Sequence, residues 1–117
     1  MDMDDFADTV ALTARDVAVG VAVVGVVGEL DMATVPVVEE FVQRRLGDEV
    51  GTLVLDLSGV TFLGSTGINL LISLDAACAE SGAKLRLVAN TQAVLRPLEV
   101  TDMTRHFTIV GAVDEAS

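Results

Sequence analysis

One serine in this chain lies where a predicted strand turns into a predicted helix, in the segment Gly64-Ser65-Thr66-Gly67. The run that begins at Leu53 is short and rich in Leu and Val, as in a strand covered on both faces, and the residues after the serine predict a buried helix. The first amides of a helix have no partner within it and attract anions, so a phosphate on Ser65 would be stabilised there. A serine at this position also serves as an ordinary helix cap, and the sequence leaves that alternative open.

Two carboxylates, Glu29 and Asp31, follow the end of another predicted strand. Paired carboxylates can act as a general acid and a general base, but no third catalytic group accompanies this pair in the sequence. Polar residues gather at strand ends in α/β folds, where most carboxylates cap turns or contact a partner. We therefore expect Glu29 and Asp31 to have a capping or partner-contact role.

Motifs of catalytic, cofactor and metal sites are absent from the sequence. The residues around Ser65 lack the first glycine of the G-x-S-x-G nucleophile motif, and no Walker loop, dinucleotide-binding glycine pattern or zinc spacing occurs. The only cysteine, Cys78, excludes an internal disulfide, has no metal-ligand spacing with the only histidine, His106, and is expected to be a buried small side chain. We predict a protein that is not an enzyme and that has no metal or cofactor.

Length and composition predict a single acidic domain. A chain of 117 residues suits one core, and with no Trp or Tyr and only four Phe this core must be built from Val, Leu, Ile, Ala and Met. The formal net charge of −11 opposes binding to nucleic acid or to an anionic membrane surface. The acidic N-terminus is unlike a signal peptide, and the longest apolar run, residues 17–28, is too short for a membrane helix, so we predict a cytoplasmic protein.

Strand and helix patterns alternate along the chain and predict an α/β fold with a mixed, mostly parallel sheet of four to five strands and helices packed against it. We divide the chain into a flexible acidic N-terminus at residues 1–9, a domain at residues 10–112 and a C-terminal tail at residues 113–117. Gly20 and Gly25 are expected to mark bulges. The predicted elements are a hairpin of residues 10–15 and 17–27 with a turn at Asp16, a helix from Thr34 to Leu46, a central strand, a helix from Thr66 to about Ser81, a strand at 84–88, a short helix from Asn90 or Thr91, and a last strand at 107–110.

A resemblance to the STAS domain family is carried by three segments. They are residues 56–67 (DLSGVTFLGSTG), which resemble the family signature, residues 28–31 (GELD), which resemble the second family motif, and residues 98–103 (LEVTDM), which resemble the segment after the last short helix. STAS domains are shared by bacterial anti-sigma factor antagonists and the tails of sulphate transporters. The resemblance covers nearly the whole chain and implies a single STAS-like domain. Members usually end in a further helix, for which only residues 111–117 remain, so we expect the C-terminal helix to be short or absent.

The resemblance also implies a function. An anti-sigma factor antagonist of this kind binds an anti-sigma factor that is a serine kinase with its own ATP, and this binding releases a sigma factor. In the family the phosphorylated serine follows an aspartate and precedes Ser/Thr-Gly; by position this serine is Ser65, and Gly64 stands at the aspartate position. Phosphorylation of Ser65 would switch binding off, and a phosphatase would restore it.

We expect the partner to bind a surface at the two motifs, composed of Glu29, Asp31, Gly64, Ser65, Thr66, Gly67 and Ile68. Because the family aspartate is absent, an alternative function is a STAS module that binds a partner protein or a small ligand without phosphorylation. The reduced C-terminal helix leaves one region of the sheet less covered, so we expect a monomer or a weak homodimer.

Overall fold

The computed structural model describes the backbone of residues 5–7 and all of residues 10–116, and within these ranges six strands form one sheet. The strands lie in sequential order: β1 (Asp5–Ala7), β2 (Val10–Ala18), β3 (Val21–Leu30), β4 (Thr52–Leu63), β5 (Lys84–Val88) and β6 (Thr108–Val110). Strands β1 to β3 pair antiparallel, and strands β3 to β6 pair parallel. Parallel neighbours need a crossover connection, and each crossover of this sheet contains a helix.

The helices in the described part of the chain are α1 (Val35–Arg45), α2 (Ser65–Ser81), α3 (Gln92–Val100) and α4 (Val113–Ala116). The first three are the crossover helices, and they share one core with the sheet face that carries Leu53, Leu55 and Leu57. The short α4 packs on the opposite face, where Ala116 joins Val54 in a second, smaller cluster. Strand β4 is therefore covered on both faces, as its continuous apolar run predicts.

The predicted fold class is confirmed, since the chain forms one α/β domain with a mixed, mostly parallel sheet and a C-terminal helix of a single turn. Two boundaries differ from the prediction. Residues 5–7 were expected to lie in a flexible terminus, but they form β1 by pairing with β2, and residues 1–4, 8–9 and 117 lie outside the described residues. Residues 113–116 were expected to form a tail, but they are helical because Val113 and Ala116 pack on the sheet.

The turn between β2 and β3 also differs from the prediction. Asp16 lies within β2, and the chain turns at Val19 and Gly20, where Gly20 has a φ of +77°. Glycine adopts this left-handed conformation without a steric penalty, so Gly20 determines the turn and is not a bulge. Gly25 does lie at an irregularity in the register of β3 and β4, as expected for a bulge.

The single cysteine belongs to the core. Cys78 is buried within α2, and this burial, together with the nearby carboxylate of Asp75, raises the pKa of its thiol to about 11. Because the thiolate is the reactive form, a thiol with this pKa is almost entirely protonated and inert near neutral pH. The prediction of a buried small side chain is confirmed.

The first turn of α2 packs tightly on the end of β3. Gly67 is buried, and a Cβ atom built on it would lie 2.6 Å from Leu63 Cδ1, 3.0 Å from Leu30 Cβ and 3.1 Å from the Leu30 carbonyl oxygen. The backbone oxygen of a buried strand cannot move away without disturbing the sheet. The missing side chain at Gly67 therefore lets the first turn of α2 approach the end of β3 closely.

We expect Gly67→Ala to lower the free energy of unfolding by about 1–3 kcal/mol, because the added methyl group overpacks this contact. The matched control is Gly51→Ala, because a Cβ atom at Gly51 would meet its nearest neighbour, the Gly20 carbonyl oxygen, only at 3.9 Å. Urea unfolding of both variants measures the difference. Unfolding midpoints that are equal for Gly67→Ala and the unmodified protein would contradict the tight contact.

Candidate functional site

The candidate site lies where β3 and β4 end side by side. Glu29 pairs with Phe62 and Leu30 pairs with Leu63 in the last positions of the two strands, and the Gly64 N–H donates a hydrogen bond to the Leu30 carbonyl at 3.2 Å. The structure thus brings the two predicted segments, residues 28–31 and 64–68, to one end of the sheet. The carboxyl ends of parallel strands are the usual position of binding sites in α/β folds.

Ser65 is the first residue of α2 and is exposed to solvent. The residue at the N-cap position is Gly64, which has an extended backbone and no side chain with which to cap the helix. The sequence left open that Ser65 is an ordinary helix cap, and the structure assigns that position to Gly64 instead. The hydroxyl of Ser65 is therefore displayed at the surface beside the helix start.

The backbone around Ser65 favours negative charge. The first hydrogen bond of the α2 ladder runs from the Ile68 N–H to the Gly64 carbonyl at 3.0 Å, so the amides of residues 65–67 precede the ladder. Such amides, together with the helix dipole, make the start of a helix favourable for an anion. A phosphate on the Ser65 hydroxyl would lie next to this positive end.

Asp31 and Thr34 build the turn between β3 and α1. Asp31 Oδ1 accepts hydrogen bonds from the backbone N–H groups of Ala33 at 2.9 Å and Thr34 at 3.1 Å. Thr34 Oγ1 donates to the Glu29 carbonyl at 2.7 Å and accepts from the Asp31 N–H at 3.0 Å, while the Thr34 residue is only 1% exposed. The carboxylate of Asp31 therefore has the structural role that the sequence offered as one of two alternatives.

The remaining predicted residues divide into surface and core. Thr66 and Glu29 are half-buried at the surface, whereas Gly67 is buried in the first turn of α2, against Leu30. Ile68 is 8% exposed and belongs to the main core with Leu71. The structure does not support a partner contact through the side chain of Ile68, because the first turn of α2 directs it toward the sheet.

Two exposed apolar residues at this end were not predicted as part of the site. Met32, in the turn after β3, is 78% exposed, and Phe62, near the end of β4, is 50% exposed. The ring of Phe62 lies over Gly64, since a Cβ atom built there would be 3.1 Å from Cε2 and 3.3 Å from Cζ of the ring. The sequence contained a signal for the exposure of Met32, because this residue follows Asp31 in the turn between a strand and a helix, and turns lie at the surface. We call the following residues the Ser65 surface: Glu29, Asp31, Met32, Phe62, Gly64, Ser65 and Thr66.

Positive side chains are missing from the segments that build the Ser65 surface. Residues 28–34 and 60–69 contain no Lys or Arg, whereas Glu29 and Asp31 carry carboxylates. A negative group added here would meet no cationic side chain from these segments, and the backbone at the start of α2 would stabilise it.

The histidine does not form a catalytic pair with Ser65. His106 Nε2 lies 3.3 Å from Asp75 Oδ2, and Asp75 is about 15 Å along the axis of α2 from Ser65. Among the described residues, no group of three or more His, Cys, Asp or Glu side chains is arranged to hold a metal ion. In the same part of the chain, no helix has the length and apolar character to cross a membrane.

Comparison with known proteins identifies the class of domain that this fold and site define. The family model of the STAS domain matches residues 13–116, and the chain belongs to the STAS domain family. Over 109 residues it is 31% identical to a protein of Mycobacterium tuberculosis named anti-sigma-F factor antagonist RsfB, covering 93% of this chain and 88% of that protein.

Solved structures extend the comparison. A crystal structure of an anti-sigma factor antagonist from Mycobacterium paratuberculosis is 32% identical and superposes with a TM-score of 0.84, covering 96% of this chain and 94% of that one. The anti-sigma factor antagonist SpoIIAA in its unphosphorylated form superposes with a TM-score of 0.74 over 90% of this chain and 91% of that one. At 16% identity, this second likeness shows a shared fold alone.

We expect Thr34→Val to lower the free energy of unfolding by about 1–3 kcal/mol, because it leaves the Asp31 N–H and the Glu29 carbonyl without their hydroxyl partner. Thr34→Ser keeps the hydroxyl and is the matched control, with a smaller loss expected. Urea unfolding measures both variants. If Thr34→Val were as stable as the unmodified protein, the hydrogen-bonded turn would not have the structural role assigned to it.

Proposed function

We propose that this protein is an anti-sigma factor antagonist that binds an anti-sigma factor through the Ser65 surface and thereby releases a sigma factor. The observation that carries the proposal is the exposed hydroxyl of Ser65 at the start of α2, on the surface formed by both family motifs. The names of the relatives and structural neighbours above support the same class of regulator. Glu29, Asp31, Gly64, Ser65 and Thr66 lie at this surface, and Gly67 and Ile68 support it from the core.

The proposed partner is an anti-sigma factor that is itself a serine kinase and uses ATP to phosphorylate Ser65. A phosphate adds a charge of about −1.5 to −2 near neutral pH. The start of α2 can hold this charge without unfolding, so the modified protein keeps its fold. A partner in contact with the Ser65 surface would have to strip water from the phosphate. The free energy of this dehydration weakens the complex, so the partner dissociates. A phosphatase would restore the binding form.

Gly64 favours a second candidate function. Where the family has an aspartate, this chain has no side chain, so no carboxylate lies directly before Ser65 to orient its hydroxyl for a kinase. The second candidate is a STAS module that binds a partner protein or a small ligand without being phosphorylated. Incubation with candidate anti-sigma kinases and ATP, followed by intact mass measurement and peptide mapping, separates the two functions. A phosphate on Ser65 supports the first, and an unchanged mass supports the second.

We expect Ser65→Asp to weaken the affinity for the anti-sigma factor by about 100-fold, because it places a charge in the contact, while Ser65→Ala keeps the affinity. The matched control is Ser73→Asp, which adds the same charge at an exposed position of α2 about 12 Å further along the helix. Isothermal titration calorimetry measures the three variants. Equal affinities for Ser65→Asp and Ser65→Ala would contradict the switch.

We propose further that the protein is a monomer or a weak homodimer. The single turn of α4 covers only part of the second sheet face, and Val27, which points to that face, is 57% exposed. Burial of this face would favour self-association, and the net charge of −11 opposes it. Sedimentation velocity over a range of protein and salt concentrations tests the balance. A stable dimer at low protein concentration would contradict the proposal.

A further inference from the structure

Positive charge is distributed unevenly along the sheet. Most of the seven Lys and Arg side chains lie toward the amino ends of the parallel strands, opposite the Ser65 surface: Arg15, Arg44, Arg45, Lys84 and Arg86. The strand register places Lys84 level with the first residue of β4 and Arg15 level with Val23. Arg45, at the end of α1, forms an ion pair with Asp16 of β2 at 3.4 Å. About 20 Å of β3 separates this group of cations from the Ser65 surface.

The two ends of the sheet differ in how their carboxylates are compensated. At the amino ends, Asp16 pairs with Arg45, and Glu49 lines the same surface groove as Arg45. At the Ser65 surface, Glu29 and Asp31 form no ion pair within the part of the chain that the structure describes, and the segments around them contain no Lys or Arg. The partial positive charge at the start of α2 acts only over the first turn of the helix. The Ser65 surface therefore carries negative charge that no side chain of its own segments neutralises.

Contact with a partner would remove water from these two carboxylates. Asp31 Oδ1 accepts hydrogen bonds from two backbone N–H groups, but these neutral donors leave the charge of the carboxylate in place. Burial of a charged group without an opposite charge is costly, so an apolar partner surface would be unfavourable here. Lys and Arg compensate a carboxylate through charge-assisted hydrogen bonds. The partner that fits this surface is therefore a cationic one.

We propose that the anti-sigma factor contacts the Ser65 surface through a basic surface whose Lys or Arg side chains pair with Glu29 and Asp31. This inference rests on the proposed function and names the chemistry of its partner. The uneven distribution of charge directs a basic partner to the Ser65 surface and away from the amino ends of the strands, where cations would repel it. Release by phosphorylation agrees with this contact, because cations engaged by Glu29 and Asp31 are not free to compensate a phosphate on Ser65.

The test is a set of affinity measurements between the full chain and a purified anti-sigma factor. We expect Glu29→Gln and Asp31→Asn each to weaken binding by at least about fivefold. The matched controls are Glu80→Gln and Asp48→Asn, which remove the same charge from exposed positions outside the Ser65 surface and change the affinity by less than about twofold. Asn at position 31 keeps the oxygen that accepts the backbone hydrogen bonds, and urea unfolding of every variant checks that the fold is kept.

Salt dependence provides the second readout. We expect the dissociation constant of the unmodified chain to rise at least about tenfold when the NaCl concentration rises from about 0.05 M to about 0.5 M, because salt screens the ion pairs, and to rise less for Glu29→Gln. Equal effects of the site and control variants would overturn the inference, as would an affinity that does not depend on salt; the proposed function would then stand without it.

Two further outcomes concern the identity of the partner. If sedimentation velocity shows that the free chain self-associates and that Glu29→Gln abolishes this association, the occupant of the Ser65 surface is a second copy and the inference is wrong. If the unmodified chain binds no anti-sigma factor at any salt concentration, the proposed function itself fails and the inference fails with it.

Discussion

The contact between the end of β3 and the first turn of α2 is the constraint on which the rest of the site depends. Its centre is Leu30, whose carbonyl accepts the Gly64 N–H and whose backbone and side chain lie against Gly67. Because Gly67 has no side chain, the helix starts immediately beside the strand. Ser65 lies between the two glycines on the outer side of this contact, and its exposure follows from the packing below it.

The groups that hold the turn after β3 differ from those that would stabilise an anion at the start of α2. The acidic residue next to the site, Asp31, is occupied by the turn that it forms with Thr34. The amides at the start of α2 lie outside that hydrogen-bond network, and they are the groups that would stabilise a phosphate. A charge added at Ser65 therefore leaves the hydrogen bonds of this turn in place.

The fold of this chain is compatible with very different sequences. Superposition with SpoIIAA retains a TM-score of 0.74 at 16% identity, because many different aliphatic residues can fill the same sheet and helix layers. A binding surface depends on a few particular side chains, and in this chain a residue without a side chain, Gly64, lies directly before Ser65. Function must therefore be argued from the residues of the Ser65 surface and not from the fold alone.

Local signals explain which predictions from the sequence succeeded. The alternation of strand and helix patterns predicted the α/β domain, and Thr34 and Gly82 marked the helix ends, because periodicity and caps depend on nearby residues. The predicted turn at Asp16 failed because the glycine with a left-handed backbone, Gly20, had a stronger preference than the aspartate. Strand β1 was missed because three residues have no periodicity to detect, and only pairing with β2 makes them a strand.

The sequence by itself determined the fold class, the position of the serine at a strand-to-helix junction and the absence of catalytic motifs, because residue types and short spacings carry that information. Only the tertiary structure decided that Ile68 is buried and that Phe62 and Met32 face solvent. The sequence does not indicate which neighbouring element will cover a given apolar residue. Whether such a residue is covered depends on how α2 and the ends of β3 and β4 pack together. This packing joins residues of β3 and β4 that are more than thirty positions apart in the chain.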